Sequence, residues 1–468
     1  MSLFRTKNLD QMVASSQKSG GLKKVLGPMD LILMGIGAIV GTGIFVLTGT
    51  GALTAGPALT VSFIVAAIAC GFAAMCYAEF ASTVPIAGSI YTYSYAVLGE
   101  LVAWMIGWDL LLEYGLATST VAVGWSGYFQ SFLHGWGLDL PAALSAAPGA
   151  RPGVDTVMNL PALCIMLFLT WMLSLGVRES ARVNNVMVAI KMTIVLLFII
   201  FGFGHVNTDN WRPYAPFGAS GIMSAAALVF FAFIGFDAVT SAAEEVKNPK
   251  RDLPIGIIGS LAICTVLYVI VSAIMTGIVP FNLFKGVDHP VSLALEHAGV
   301  NWLAQWTNVG AILGMTTVML VMAYGQTRIL FAMSRDGLLP ARLSTVHPKY
   351  GTPYFATWLV GIVFGVIAAF VPLNVLAELV NIGTLAAFCL VSVAVIVLRK
   401  KRPDLKRAFS CPGVPVVPAI AVLFCLALMS FLSLITWIAF LVWLALGLVV
   451  YFGYARSRSV LGGAVPKA

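Results

Sequence analysis

Apolar residues run in blocks of about 20 or more, long enough to cross a hydrocarbon layer, from near Met29 to near position 455, with short polar stretches between them. Twelve blocks can be placed, near 29–52, 57–84, 99–129, 158–177, 183–204, 219–244, 253–280, 301–333, 354–372, 374–398, 414–435 and 437–455. The pattern predicts an all-α integral membrane protein of 12 transmembrane helices, because lipid offers backbone N–H and C=O groups no partners outside the helix.

The basic residues indicate how the bundle is threaded. Of 27 Lys and Arg, all but Arg151, Lys191, Arg212 and Lys285 fall in tails and loops that share one side if the count is twelve. Basic residues near span ends resist translocation, so that side reads as cytoplasmic and holds both tails, residues 1–28 and 456–468. An odd count would scramble the asymmetry. The exterior loops are short apart from 130–157, which is rich in Ala, Gly and Pro and carries no domain of its own. Function is therefore expected inside the bundle.

Composition narrows the class further. With 60% hydrophobic residues, 10% charged residues and a mean hydropathy of +0.95, the chain has too few charges to cover a soluble globule of 468 residues. The net charge of +8 accompanies no basic groove or aromatic platform, so the expected partner is the lipid bilayer and not nucleic acid. Seven Cys and five His show no metal-like or paired spacing, and neither a metal, a cofactor nor a disulfide framework is expected. No nucleophile and base stand at membrane depth, so the chain does not read as an enzyme. The first block is too long for a cleaved signal and reads as an anchor, placing the protein in the plasma membrane. Oligomeric state and any small membrane subunit leave no trace in the sequence.

Two blocks are irregular. The first contains Gly35, Gly37, Gly41 and Gly43 at mid-membrane depth, and each interior Gly weakens a helix by roughly 1 kcal/mol relative to Ala. Close helix packing would explain Gly37 and Gly41 but gives no reason for Gly35, Thr42 and Gly43, so a broken helix is expected. The sixth block carries Gly235 and Asp237 after Phe230-Phe231-Ala232-Phe233-Ile234. Five spans separate the two irregularities. Because five is odd, two five-span units, 29–204 and 219–398, would insert with opposite orientation, leaving 414–455 as two added helices. No residue identities between the halves support that repeat; matching positions of the breaks do. An opened helix must face a cavity. The half-helix starting at Gly41-Thr42-Gly43 would aim free N–H groups at a carboxylate, and the half ending around Phe231, Ala232 and Ile234 would aim free carbonyls at an ammonium. Together with Ile39 these residues form a candidate socket for a zwitterion such as a free amino acid.

Several stretches resemble the amino acid-polyamine-organocation superfamily: Gly35 to Phe45, Tyr77 to Tyr91, Phe230 to Asp237, Glu244 to Pro254 and Arg328 to Gly337. Gly99 to Tyr114 is most similar to its cationic amino acid transporter branch. The likeness covers about residues 25–400. It implies a five-plus-five inverted repeat with two added spans, alternating access, and substrate held by backbone atoms of the first and sixth helices.

Charges within the spans are the remaining candidates. Lys191 lies about nine residues into the fifth span, roughly 13 Å of helix, beyond what a snorkelling stem covers. In proton-coupled members of the superfamily the resemblance puts a fifth-span ammonium where sodium-coupled relatives hold a metal ion, so the coupling ion is expected to be H+, with Na+ the second choice. Charged Lys191 would hold carbonyls freed at the first break, and its deprotonation would let the inner half of that helix swing. Asp237 reads equally as a helix N-cap or a proton relay. Asp109 and Glu113 share a helix face, where Glu113 could receive a cationic substrate side chain, neutralise Lys191 or serve interhelical contacts. Glu79 and Glu244-Glu245 read as inner-gate or loop-pairing residues, against the plainer alternative of solvated helix ends. Phe231, Phe236 and Trp125 are candidate outer gates and Met322 a limit on the side-chain pocket. The expected function is proton-coupled symport of cationic or small neutral L-amino acids; an ion-independent amino acid or polyamine exchanger is the alternative, and a channel the third reading.

Overall fold

The computed structural model of the chain describes residues 5–6, 26–83, 89–151, 153–176, 181–241, 246–403, 407 and 409–462. Among these the chain is helical, without strands: α1 Pro28–Ile39, α2 Thr42–Phe45, α3 Leu47–Ala55, α4 Leu59–Thr83, α5 Ser89–Val97, α6 Glu100–His134, α7 Leu160–Ser174, α8 Ala181–Phe203, α9 Gly218–Val229, α10 Ala238–Ser241, α11 Pro249–Ile278, α12 Pro290–His297, α13 Asn301–Arg335, α14 Tyr354–Phe370, α15 Leu373–Lys401, α16 Val416–Met429 and α17 Leu434–Val450. Among the described residues, seven helical stretches are long and apolar enough to cross a membrane, and five apolar helices are shorter. The chain is thus a multi-pass helical membrane protein.

Local chemistry sets the helix starts. Pro28 occupies the first turn of α1, where its missing N–H leaves nothing unsatisfied, and the Gly27 N–H donates to Asp30 Oδ2 at 2.8 Å. Asn159 and Ser433 cap α7 and α17 by accepting from Ala162 N–H and Thr436 N–H. Two features depart from the sequence reading. The first span is bent at Val46 (φ −123°, ψ −52°) as well as interrupted near Gly41, and a separate helix, α5, lies between the second and third spans, where only a loop was expected.

The core is built from helix pairs: α6 lies along α13, α4 along α11 and α7 along α14, while α1 is wedged among α11, α8 and α13. Close approach depends on small residues. A Cβ on Gly115 of α6 would stand 2.1 Å from the Phe364 ring of α14. α17 stands at the edge, tied to α6 by reciprocal bonds, Trp108 Nε1 to the Trp443 carbonyl at 2.9 Å and Trp443 Nε1 to the Trp108 carbonyl at 3.1 Å. Its other face exposes Leu434, Ile435, Leu441 and Val449, an apolar surface suited to lipid.

Glu79 is not the solvated helix end of the plainer reading. It is fully buried, accepting from Arg399 Nε at 3.0 Å, Arg399 Nη2 at 2.6 Å and the Cys411 N–H at 2.8 Å, with Arg407 Nε at 3.3 Å. A buried carboxylate survives only with such partners. It fastens α4 to the end of α15 and the segment after it. Glu244 and Glu245 lie outside the described residues.

Candidate functional site at two interrupted helices

Helix α1 stops where the glycines loosen it. Val40 is extended (φ −76°, ψ 97°), Gly41 takes φ −154° and ψ −136°, and the helix restarts as α2. Its backbone resumes with Phe45 N–H to Gly41 O at 3.2 Å and Val46 N–H to Thr42 O at 2.8 Å. The first N–H groups of the restarted helix, at 42–44, are those a helix start leaves without intrahelical acceptors.

In the sixth span α9 tightens into a 3-10 turn over Phe230–Phe233 and opens at Ile234 (ψ 135°). Gly235 follows at φ +119°, a conformation that glycine alone adopts freely, with Ala38 so near that a Cβ would meet its carbonyl carbon at 2.9 Å. The Asp237 carbonyl then accepts the Thr240 N–H at 2.9 Å as α10 begins.

The two openings touch. A Cβ on Gly43 would fall 2.3 Å from Ala232 Cα, so only glycine lets these backbones meet. Gly41 packs on Val318 of α13, and Gly124 of α6 sits under the Thr42 side chain. The expected cavity is therefore closed: residues 35–49 and 225–236 are all buried. Small residues on both segments allow them to interlock.

Three side chains hold the backbone at the breaks. Lys191 of α8 is fully buried and donates from Nζ to Gly37 O at 2.5 Å and Val40 O at 2.9 Å, bridging the last turn of α1. Its aliphatic stem passes Gly314 of α13, where a Cβ would lie 3.3 Å from Cδ. Tyr268 of α11 places its hydroxyl 3.0 Å from Ile39 O and 2.9 Å from Ala232 O, one proton shared between the two breaks. Asn381 of α15 donates from Nδ2 to Ala227 O at 2.8 Å and Leu228 O at 2.9 Å, satisfying carbonyls where α9 changes pitch.

These partners revise the carbonyl half of the socket. Phe231 O accepts the Ile234 N–H at 3.2 Å and Ala232 O accepts from Tyr268, so neither is the free carbonyl expected from sequence. The tight 3-10 turn and a phenol at the right depth use them. Ile39 O is likewise taken by Tyr268, and the Thr42 hydroxyl is buried with no partner among the described residues.

Other candidates fall around this centre. Phe231, Ile234 and Met322 are buried, whereas Phe236 packs on Tyr77 and Phe388 with ring centroids at 5.6 and 5.2 Å. Trp125 stacks on Phe129 and donates to Thr316 Oγ1 at 3.1 Å, joining α6 to α13. Asp109 and Glu113 are buried on α6; Asp109 faces Gly383, and the neighbours of Glu113 include Asp237, Asp109 and Thr384. Tyr114 donates to Asp237 Oδ2 at 3.3 Å. Asp109 Oδ1, Glu113 Oε2 and the Tyr77 hydroxyl have no hydrogen-bond partner among the described residues.

Comparison with known proteins decides the family. A family model described as amino acid permease matches residues 26–453. The chain belongs to the amino acid permease family. It is 63% identical over 460 residues to the branched-chain amino acid permease BcaP of Bacillus subtilis (strain 168), covering 98% of this chain and 99% of that one. It is 55% identical over 461 residues to the methylthioribose transporter of the same strain, covering 98% and 99%. The vacuolar cationic amino acid transporter 4 of Arabidopsis thaliana is 40% identical over 412 residues, covering 86% of this chain and 68% of that protein. The permease is accordingly a membrane transporter for amino acids and not an enzyme.

Proposed function

We propose that this permease carries L-amino acids into the cell by proton symport and alternating access, in the plasma membrane, through twelve spans with both termini cytoplasmic. The pairs α4 with α11, α6 with α13 and α7 with α14 join elements five spans apart in that count, which supports the inverted repeat. The closed packing around the breaks is then an occluded stage of the cycle.

The observation that carries the reading is the grip of Lys191 on Gly37 O and Val40 O. An ammonium at membrane depth is costly unless protein groups satisfy it, and here it satisfies carbonyls that a broken helix would otherwise strand. The protonated amine locks the inner half, α1; release of the proton removes the charge that strengthens both hydrogen bonds, and the loosened half-helix moves. In the closed arrangement Tyr268 stands at the Ala232 carbonyl where a substrate ammonium would sit, and the N–H groups at the start of α2 receive the carboxylate. Asp237, behind the second break, is the proton's partner site.

The buried residues beside the breaks are apolar, with Phe231 and Ile234 at the second and Val318 packed on Gly41 at the first, one turn of α13 before Met322, which favours an aliphatic side chain like those named for the relative at 63% identity. Glu113 and Asp109 carry the second reading, a cationic side chain directed at their unpartnered oxygens. Competition of labelled leucine uptake by excess leucine, alanine, lysine and methylthioribose separates these substrates. For coupling, purified protein in vesicles with an imposed inward proton gradient should accumulate substrate. Lys191→Ala should lose that accumulation by at least about tenfold while still binding substrate, an effect above the ~1.4 kcal/mol that a tenfold change represents. Undiminished gradient-driven uptake by the variant, or exchange that ignores the gradient in the wild type, overturns the reading.

A further inference from the structure

The segment between α6 and α7 is tied down by a polar network. Arg151 donates to Asp288 Oδ2 from Nη2 at 2.8 Å and Nε at 3.3 Å, to Ser145 Oγ at 3.1 Å and to Gln130 Oε1 at 3.4 Å. Gln130 in turn donates to Ser145 O at 2.7 Å and Ser126 Oγ at 2.9 Å. One guanidinium thereby joins α6, the strap that follows it and the segment before α12.

Asp288 begins the piece of chain that covers the outer half of the first helix. Its Cβ lies so close to α6 that a Cβ on Gly127 would meet it at 2.5 Å. The His289 ring lies edge-on to Tyr128 at 6.4 Å, and Tyr128 donates to Phe45 O at 2.5 Å. Pro290, the first residue of α12, rests on Gly49 of α3, where a Cβ would stand 2.9 Å from the proline ring. The order is strap, Arg151, Asp288, α12, α3.

We propose that Arg151 and Asp288 form the outer latch of the transport cycle, holding α12 down on α3 while the site is closed to the outside. This inference rests on the alternating-access reading above. A latch that opens every cycle must hold weakly, and the Arg151 and Asp288 side chains are 28% and 37% exposed, so water can replace each as they part. The buried Glu79 cluster could not be opened at comparable cost. Parting Arg151 from Asp288 frees α12 and exposes the start of α2; closing it commits the substrate.

The test joins the two positions covalently. Arg151→Cys and Asp288→Cys are combined on a background without the seven native cysteines, reconstituted in vesicles, and treated with a short bis-maleimide. Cross-linked protein should lose at least about tenfold in uptake, whereas each single-cysteine variant treated alike keeps its untreated rate. Uptake by the cross-linked protein at the uncross-linked rate overturns the latch. In parallel, Arg151→Ala should shift the population toward the outward-open state, lowering the external KM and lowering kcat, each by about threefold, with an unchanged melting temperature. The swapped pair Arg151→Asp with Asp288→Arg should recover wild-type values. An unchanged KM with a lowered melting temperature makes the contact a structural tie and refutes the proposal. Failure of alternating access itself would show separately, as wild-type uptake that does not saturate with substrate.

Discussion

The first break is held by a charge and the sixth by an amide. Lys191 grips Gly37 O and Val40 O, whereas Asn381 grips Ala227 O and Leu228 O, and Tyr268 touches both sites through Ile39 O and Ala232 O. An ammonium can give up its proton and with it the charge that strengthens its grip on two carbonyls; a carboxamide has no such charge to lose. On the proton-coupled reading proposed above, that difference makes the first helix the moving part and the sixth the fixed one. The surroundings agree. Gly314 leaves room for the Lys191 stem, and Gly43 and Gly235 let the two segments slide apart without a Cβ to cross.

Substitutions at the fixed break should therefore act on stability and leave coupling intact. Asn381→Leu takes the amide donor from two buried carbonyls and leaves Leu228 O only the Phe230 N–H, and should destabilise the protein by about 2–4 kcal/mol, read as a fall in melting temperature. Molecules that remain folded should still accumulate substrate along a proton gradient; loss of gradient dependence would erase the distinction between the breaks. Tyr268→Phe removes the shared hydroxyl and should cost about 1–3 kcal/mol, since both Ile39 O and Ala232 O lose a donor. Its transport should weaken through substrate affinity, a rise in KM above any change in kcat, because the phenol borders the ammonium position.

The smallest expected effect lies outside the spans. Burial holds the His289 imidazole below its ordinary range, with Arg151 and His134 adding to the depression and Asp288 opposing it. The unfolded chain then binds the proton more readily, so stability present near neutrality declines as pH falls below about 6.5, by on the order of 1 kcal/mol per unit. Melting temperature measured from pH 7.5 to 5.5 should fall less in His289→Gln than in the wild type. Equal slopes would show that His289 contributes nothing to the loss of stability on acidification.

Much of this arrangement was legible from residue types alone. Four glycines in nine residues at mid-membrane depth, and a Gly two residues before an Asp in the sixth block, marked the interruptions because no simpler packing need explains them all. Lys191 stood out because a charge at that depth requires a partner. Asn381 posed the same question in milder form, a lone amide in an apolar stretch between Val380 and Ile382, and sequence reasoning passed over it. Tyr268 was harder to single out, since its phenol is one of 13 and its role depends on α11 reaching both openings. Arg151 is one of three basic residues on the exterior side, with Arg212 and Lys285, and nothing in the sequence singles it out for its tie to Asp288. Contact between Gly43 and Ala232 depends on how α2 and the 3-10 turn at Phe230–Phe233 pack, which no single stretch of sequence encodes.

A titratable clasp at the first break and a constitutive one at the sixth differ in how α1 opens as pH changes. Met34, half-buried on α1, can be replaced by Cys on a background without native cysteines, and its modification by a water-soluble maleimide followed from the cytoplasmic side as internal pH is raised. Taken relative to a free thiol at the same pH, which removes the titration of the thiol itself, the modification rate is expected to climb with pH in the presence of Lys191 and to be high and flat in Lys191→Ala, with Asn381→Leu behaving like the parent. The same pH-dependent rise of that ratio in Lys191→Ala would contradict a clasp made by Lys191.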